Sequence, residues 1–180
     1  MASRLSTGLE PMLGKMPKVL ILGSFPSEHS VRARQYYANP RNQFWQLMEA
    51  IAGIKHDQPY EQRIQAMTAK GIALWDVLHA CERGGSLDSK IKLRTATTND
   101  LVGLLDRTPS IQIIGLNGRT AEKIFKRRFS ALDARGLEIV PLPSSSSAHA
   151  VKIEQKVRAW SALMGPFGAG RDSKIAMYSR

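Results

Sequence analysis

The chain is nearly free of cysteine. Cys81 is the only one in 180 residues, which excludes an internal disulfide and a thiolate-built zinc or iron–sulfur centre within one chain. It reads as a small core residue. His29, His56, His79 and His149 show no metal-ligand spacing, so neither metal nor cofactor is expected. No run approaches the ~20 apolar residues that cross a bilayer, and residues 1–18 lack the charged-then-apolar layout of a signal peptide. The expectation is an intracellular protein, cytoplasmic or bacterial-type nucleoid-associated, monomeric and without a membrane partner. Acid is scarce as well: 15 Asp and Glu face 26 Lys and Arg, a net charge of +11. Such an excess attracts polyanions, because every neutralised phosphate releases counterions. The bases are spread along the chain rather than gathered on one amphipathic stretch, which favours nucleic acid over a membrane surface. Internal repeats are absent.

What is present suffices for one core. Hydrophobic residues make up 43% of the chain, and a domain of this size buries roughly 70% of its unfolded surface. Four short apolar runs, 18–23, 71–78, 111–116 and 137–142, read as strands covered on both faces. Helical spacing appears between them: Phe44, Leu47, Met48 and Ile51; Ile64 and Met67; Leu101, Leu104 and Leu105, with Asn99 as N-cap; Ala121, Ile124 and Phe125; and residues 151–164 through Ile153, Val157 and Trp160. Alternating strands and helices predict an α/β chain with a mostly parallel four-stranded sheet between helical layers. The expected division is a mobile N-terminal segment 1–16, a single domain 17–164 and a mobile basic tail 165–180. Ligands of such sheets bind beyond the carboxyl ends of the strands, which singles out residues 23–42, 76–88, 117–118 and 143–149.

The first of these segments holds Gly23-Ser24-Phe25-Pro26-Ser27, then Tyr36-Tyr37-Ala38-Asn39-Pro40-Arg41-Asn42-Gln43-Phe44-Trp45. Glycine at a strand end lets the backbone approach a ligand, and aromatics interleaved with amides and an arginine suit a flat base and its backbone. The same residues also fit a plain turn, a helix N-cap at Asn42 and core positions at Phe44 and Trp45. Taken together, the string from Leu20 to Trp45 resembles the signature of the uracil-DNA glycosylase superfamily, and within it the hypoxanthine (deoxyinosine) glycosylase branch. Ala73-Leu74-Trp75-Asp76-Val77-Leu78, Gly85-Ser86-Leu87-Asp88, Asn99-Asp100, Leu116-Asn117-Gly118 and Leu142-Pro143-Ser144 running into Ala148-His149-Ala150 follow in the same order.

The resemblance implies a three-layer α/β/α sandwich and a monofunctional DNA-repair glycosylase. Such an enzyme flips a deaminated base out of single- or double-stranded DNA and hydrolyses its N-glycosidic bond, leaving an abasic site. Hypoxanthine is the expected base. The alternatives are a uracil or mismatch-uracil glycosylase on the same fold, or a non-catalytic damaged-DNA binding module. By position, Asn42 resembles the catalytic residue, orienting the attacking water. Asn117 resembles the base reader, with Gly23, Ser24, Phe25 and Phe44 completing the base pocket. Tyr36, Tyr37, Arg41, Ser144, Ser145 and Ser146 are the expected DNA contacts. The first turn offers Ser24 and Phe25 where relatives often have Asn or Asp, so no carboxylate there can steady a sugar cation. Asn39 stands where the branch usually has His. The serines of 144–147 replace a Pro-containing loop, which predicts a looser loop. Leu142 occupies a position where uracil-cutting relatives often carry His, which weighs against uracil. Asp76, near a strand end, could serve electrostatically but reads first as an N-cap or buried ion-pair residue, and Asp88 reads as a loop anchor.

Overall fold

The structure, a computed structural model, describes residues 5–85 and 88–167. It begins with β1 (Leu5–Thr7), followed by β2 (Val19–Gly23), α1 (Glu28–Ala33), α2 (Phe44–Ala52) and α3 (Tyr60–Ala69). Next come β3 (Ile72–Asp76), β4 (Leu78–Arg83), β5 (Ile91–Thr98), α4 (Leu101–Arg107) and β6 (Ile113–Asn117). The chain closes with α5 (Arg119–Arg128), β7 (Glu138–Leu142) and α6 (Ile153–Trp160), which runs into a 3-10 turn, Ser161–Phe167.

The central sheet has four parallel strands in the order β3-β2-β6-β7. Every residue of β2, β3 and β6 is buried, which explains their continuous apolar runs: a parallel strand covered by helices has no wet face. Crossing from β2 to β3 on one side, and from β6 to β7 on the other, with right-handed connections places the connecting helices on opposite faces. This is the expected layered sandwich, with helices such as α2 and α6 packed on each other. The order reverses between β2 and β6, the switch point where open sheets of this kind hold ligands. Register puts Gly23 beside Asp76 and Asn117 beside Leu142 at the carboxyl ends.

Several expectations need correction. The run 71–78 is not one strand. It leaves the parallel sheet at Val77, and β4 joins a three-stranded antiparallel sheet, β1-β4-β5. The amide of Asn99 donates to the carbonyls of Asp76 (2.8 Å) and Leu78 (3.2 Å), clasping that switch from inside the core. Asn99 is therefore no helix cap; Asp100 is, accepting from the Gly103 N–H at 2.9 Å. Residues 5–16 are not loose. β1 pairs with β4, Met12 bridges to Leu74, and the Leu9 carbonyl accepts from the Trp75 indole at 3.0 Å. The segment is too short to show strand periodicity by itself. The last helix spans 153–160 rather than 151–164, and α1 was not anticipated. Residues 168–180 of the expected tail, with 1–4 and Ser86-Leu87, lie outside the described residues.

Candidate active site

A cleft of about 770 Å³ opens at the switch point. Its floor is built from Gly23, Asp76 and Asn117 at the ends of β2, β3 and β6, and its walls from Ser24-Phe25-Pro26, Tyr36-Tyr37, Arg41-Asn42, Asp88 and the serines 144–147. Leu142 is turned into the core and does not line it.

Sequence explains the first turn. Glycine at position 23 is forced by space, since a Cβ there would collide with Asp76 Oδ1 and lie 3.2 Å from Tyr37 Oη. The turn is fastened on its far side by the Val77 and Leu78 N–H groups, which donate to the carbonyls of Gly23 and Ser24 at 2.8 and 3.1 Å. Arg83 donates to the Pro26 carbonyl and lays its guanidinium over Phe25, 5.2 Å from the ring centre. Ser24 Oγ donates to Asp88 Oδ1 at 2.7 Å.

Asn42 follows a tight turn in which Asn39 Oδ1 accepts from the Arg41 N–H at 3.0 Å and the Asn39 carbonyl from the Asn42 N–H at 2.9 Å. Its own Oδ1 accepts from the Phe44 N–H at 2.9 Å. This is the capping role open to it from sequence, performed one residue ahead of the assigned cap, Gln43. The bond fixes the side chain without exhausting it, because an amide oxygen has a second lone pair and the NH₂ has two donors. Arg41 is exposed at the rim.

Asn117 behaves otherwise. Its Nδ2 donates to Tyr37 Oη (2.8 Å) and Ser145 Oγ (2.9 Å), and its Oδ1 accepts from the Ser145 N–H (2.9 Å). The Ser145 N–H fixes the orientation of the amide, since a flipped NH₂ would face another donor. Both of its N–H groups are therefore spent on the protein, and the expected base-reading donor is not free. Asn117 instead holds Tyr37, whose backbone is left-handed (φ 54°), a conformation that costs a non-glycine residue of order 1–3 kcal/mol. Phe44 secures the same ring, stacked at 3.9 Å and 11°. It is fully buried and does not line the cleft, so it acts on the pocket only through Tyr37. Tyr36 lines the wall but is 2% exposed, with its hydroxyl directed to the Leu9 and Glu10 carbonyls, an arrangement that suits a wall better than a phosphate contact.

Among the described residues, Asp76 forms neither a cap nor an ion pair. It is 3% exposed, and its Oδ2 is buried without a hydrogen-bond partner. Burial, then the charge of Asp88, push its carboxyl up to about 8, against the opposing pull of Arg83. At neutral pH it is a carboxylic acid with one O–H to give and an oxygen to receive.

The serine loop is more firmly tied than its composition predicts. The Ser145 carbonyl accepts from the Gln43 N–H at 2.9 Å, and the Pro143 carbonyl from the Trp160 indole at 2.9 Å. Lys156 is fully buried beneath it, donating to Gln43 Oε1 (2.7 Å) and the Ser146 carbonyl (3.0 Å). Burial lowers its pKa. These bonds do the work of the missing proline. The signal for Lys156 was available: it stands at a position of the Ile153, Val157, Trp160 stripe where an apolar residue belongs.

The comparisons identify the family. The family model described as the uracil DNA glycosylase superfamily matches residues 11–164. A relative from Methanosarcina acetivorans named hypoxanthine DNA glycosylase is 38% identical over 157 residues, 87% of this chain and 96% of the relative. One of the same name from Methanosarcina barkeri is 33% identical over 155 residues, 86% and 94%. The solution NMR structure of a candidate uracil DNA glycosylase from M. acetivorans superposes with a TM-score of 0.74 at 36% identity, covering 88% of this chain and 96% of the other. With a shared fold, a matching family model over most of its length and a polar cleft at the switch point, this chain belongs to the uracil DNA glycosylase superfamily.

Proposed function

We propose that the chain hydrolyses the N-glycosidic bond of a flipped, deaminated base in DNA, with hypoxanthine as the preferred base. The observation that carries this reading is Asp76, a carboxyl held uncharged at the floor of a DNA glycosylase cleft with an oxygen unpartnered. The Watson–Crick edge of hypoxanthine presents O6 as acceptor and N1–H as donor. A neutral carboxyl meets both at once, giving its O–H to O6 and taking N1–H on the other oxygen. As the C1′–N9 bond breaks, negative charge gathers on the base, and the hydrogen bond to O6 strengthens. Asn42 is the water-orienting group, its Oδ1 aimed by Phe44. Tyr37, braced by Asn117 and Phe44, supplies the flat wall, while Arg41, Ser144 and Ser146 meet the DNA backbone; Ser145 is buried and engaged by Asn117.

Uracil offers the same edge through O4 and N3–H, so edge chemistry alone serves both bases. The names of the two Methanosarcina relatives favour hypoxanthine. The test is alkali-revealed strand cleavage of oligonucleotides carrying hypoxanthine or uracil, by wild type and Asn42→Ala. Hypoxanthine is expected to be cut faster than uracil, with Asn42→Ala slower by ~10²–10³. Binding without cleavage of either would instead make the chain a damaged-DNA binding module.

A further inference from the structure

The first turn has no carboxylate of its own, yet the fold brings one to it. Asp88 opens the short 3-10 turn between β4 and β5, 64 positions along the chain from Ser24, and accepts the Ser24 hydroxyl proton at 2.7 Å. Both residues line the cleft together with Asn42 and Asp76. Asp88 is half-buried and has no ion-pair partner among the described residues. The groups that feel its charge are Asp76, Tyr37 and Cys81, with Arg83 acting on the same neighbourhood from β4.

We propose that Asp88, oriented by Ser24, is a catalytic carboxylate that faces the sugar of the flipped nucleotide and takes the proton of the attacking water. The proposal rests on the glycosylase reading above and adds a second functional group to it. Breaking a glycosidic bond builds positive charge on the sugar and negative charge on the leaving base. An amide at Asn42 can hold water but is too weak a base to deprotonate it. The cleft holds two carboxyl groups in different surroundings, the arrangement that divides acid and base roles. Asp76, desolvated and protonated, faces the base. Asp88, nearer solvent and steadied by a hydroxyl, faces the sugar.

The step balances. The C1′–N9 pair leaves with the base, water oxygen bonds to C1′, and the water proton passes to Asp88. The base takes its proton from Asp76, and solvent returns one from Asp88 to Asp76. Ser24 is a positioning residue in this scheme.

The experiment compares Asp88→Asn, Asp88→Glu and Ser24→Ala with wild type in single-turnover excision of hypoxanthine, alongside melting temperature and affinity for lesion-containing duplex. Asparagine can still accept from Ser24, so the loop keeps its anchor. Asp88→Asn is expected to lose about 10²-fold or more in rate while melting and affinity stay near wild type. Asp88→Glu should recover part of the loss, and Ser24→Ala should fall between. With a repelling charge gone, the alkaline limb of the remaining Asp88→Asn activity should also move to lower pH. Asp88→Asn at half the wild-type rate or better overturns the proposal and leaves the glycosylase reading standing. The same holds if rate merely follows a lowered melting temperature in both Asp88→Asn and Ser24→Ala. Wild type that excises no base defeats that reading itself, and the proposal with it.

Discussion

At the scale of single residues, Asp76 and Asn117 sit in surroundings opposite to those their chemistry suggests. The amide looks made for reading a base, and the carboxyl for pairing with a cation. Position decides otherwise. Asn117 ends a strand beside the serine loop, whose N–H and hydroxyl claim it, whereas Asp76 ends a strand opposite a glycine, where its Oδ2 has no partner among the described residues. Sequence marked both as strand ends but could not show which neighbours would already be satisfied, because those neighbours lie 28 and 80 positions away. Titration tests the assignment. With its carboxyl raised from 3.8 to about 8, Asp76 is protonated in the folded chain and ionised in the unfolded one between those values. Its contribution to stability is complete below about pH 4 and is lost as pH rises through about 8. Asp76→Asn carries no such proton, so its stability relative to wild type should climb between pH 4 and 8, by at most about 1.4 kcal/mol per pH unit. Parallel melting curves across that range would mean that the carboxyl is ionised in the fold. For Asn117→Ala, the expectation is a lower melting temperature and an equal loss of rate on hypoxanthine and uracil, since Tyr37 and Ser145 lose their holder together. A loss confined to one base would restore it as a reader.

At the scale of elements, α6 works as a bracket. Its apolar stripe packs on α2 and β7, and Lys156, set within that stripe, fastens Gln43 to Ser146. The residue before Gln43 is Asn42, so the bracket bears on how the amide proposed to hold the attacking water sits against the serine loop. A buried ammonium with only neutral acceptors gives little net stability. Lys156→Met should therefore change folding stability by only about 1 kcal/mol. The misplaced Asn42 should nevertheless slow excision by about tenfold or more. A large drop in melting temperature with unchanged rate per folded molecule would make Lys156 a packing element only. The parallel sheet and most helices were legible in the apolar periodicity. The antiparallel sheet was not: β1 is a three-residue strand with alternating exposure, and β5 has no buried residue, so neither leaves a pattern that distinguishes it from a loop.

Across the whole molecule, the charge of +11 acts at longer range than any contact. Binding to undamaged duplex should weaken steeply with salt, the logarithm of affinity falling by about 0.9 per neutralised phosphate for each tenfold rise. Arg41, exposed at the cleft rim, is a ready donor to one phosphate. Arg41→Ala is expected to lower that slope by about one unit, measured by titration at several salt concentrations. An unchanged slope would place the phosphate contacts elsewhere on the basic surface.

The N-terminal strap imposes an order in time. Leu5 pairs with Glu82 and Thr7 with Ala80, so β1 has no partner until more than seventy further residues have been made. At roughly 5–20 residues per second it waits for several seconds, and the strap's Leu9 carbonyl likewise waits for the Tyr36 hydroxyl and the Trp75 indole. A chain emerging from synthesis thus carries β1 unpaired until β4 arrives, and can close that strap before β6 and β7 complete the parallel sheet.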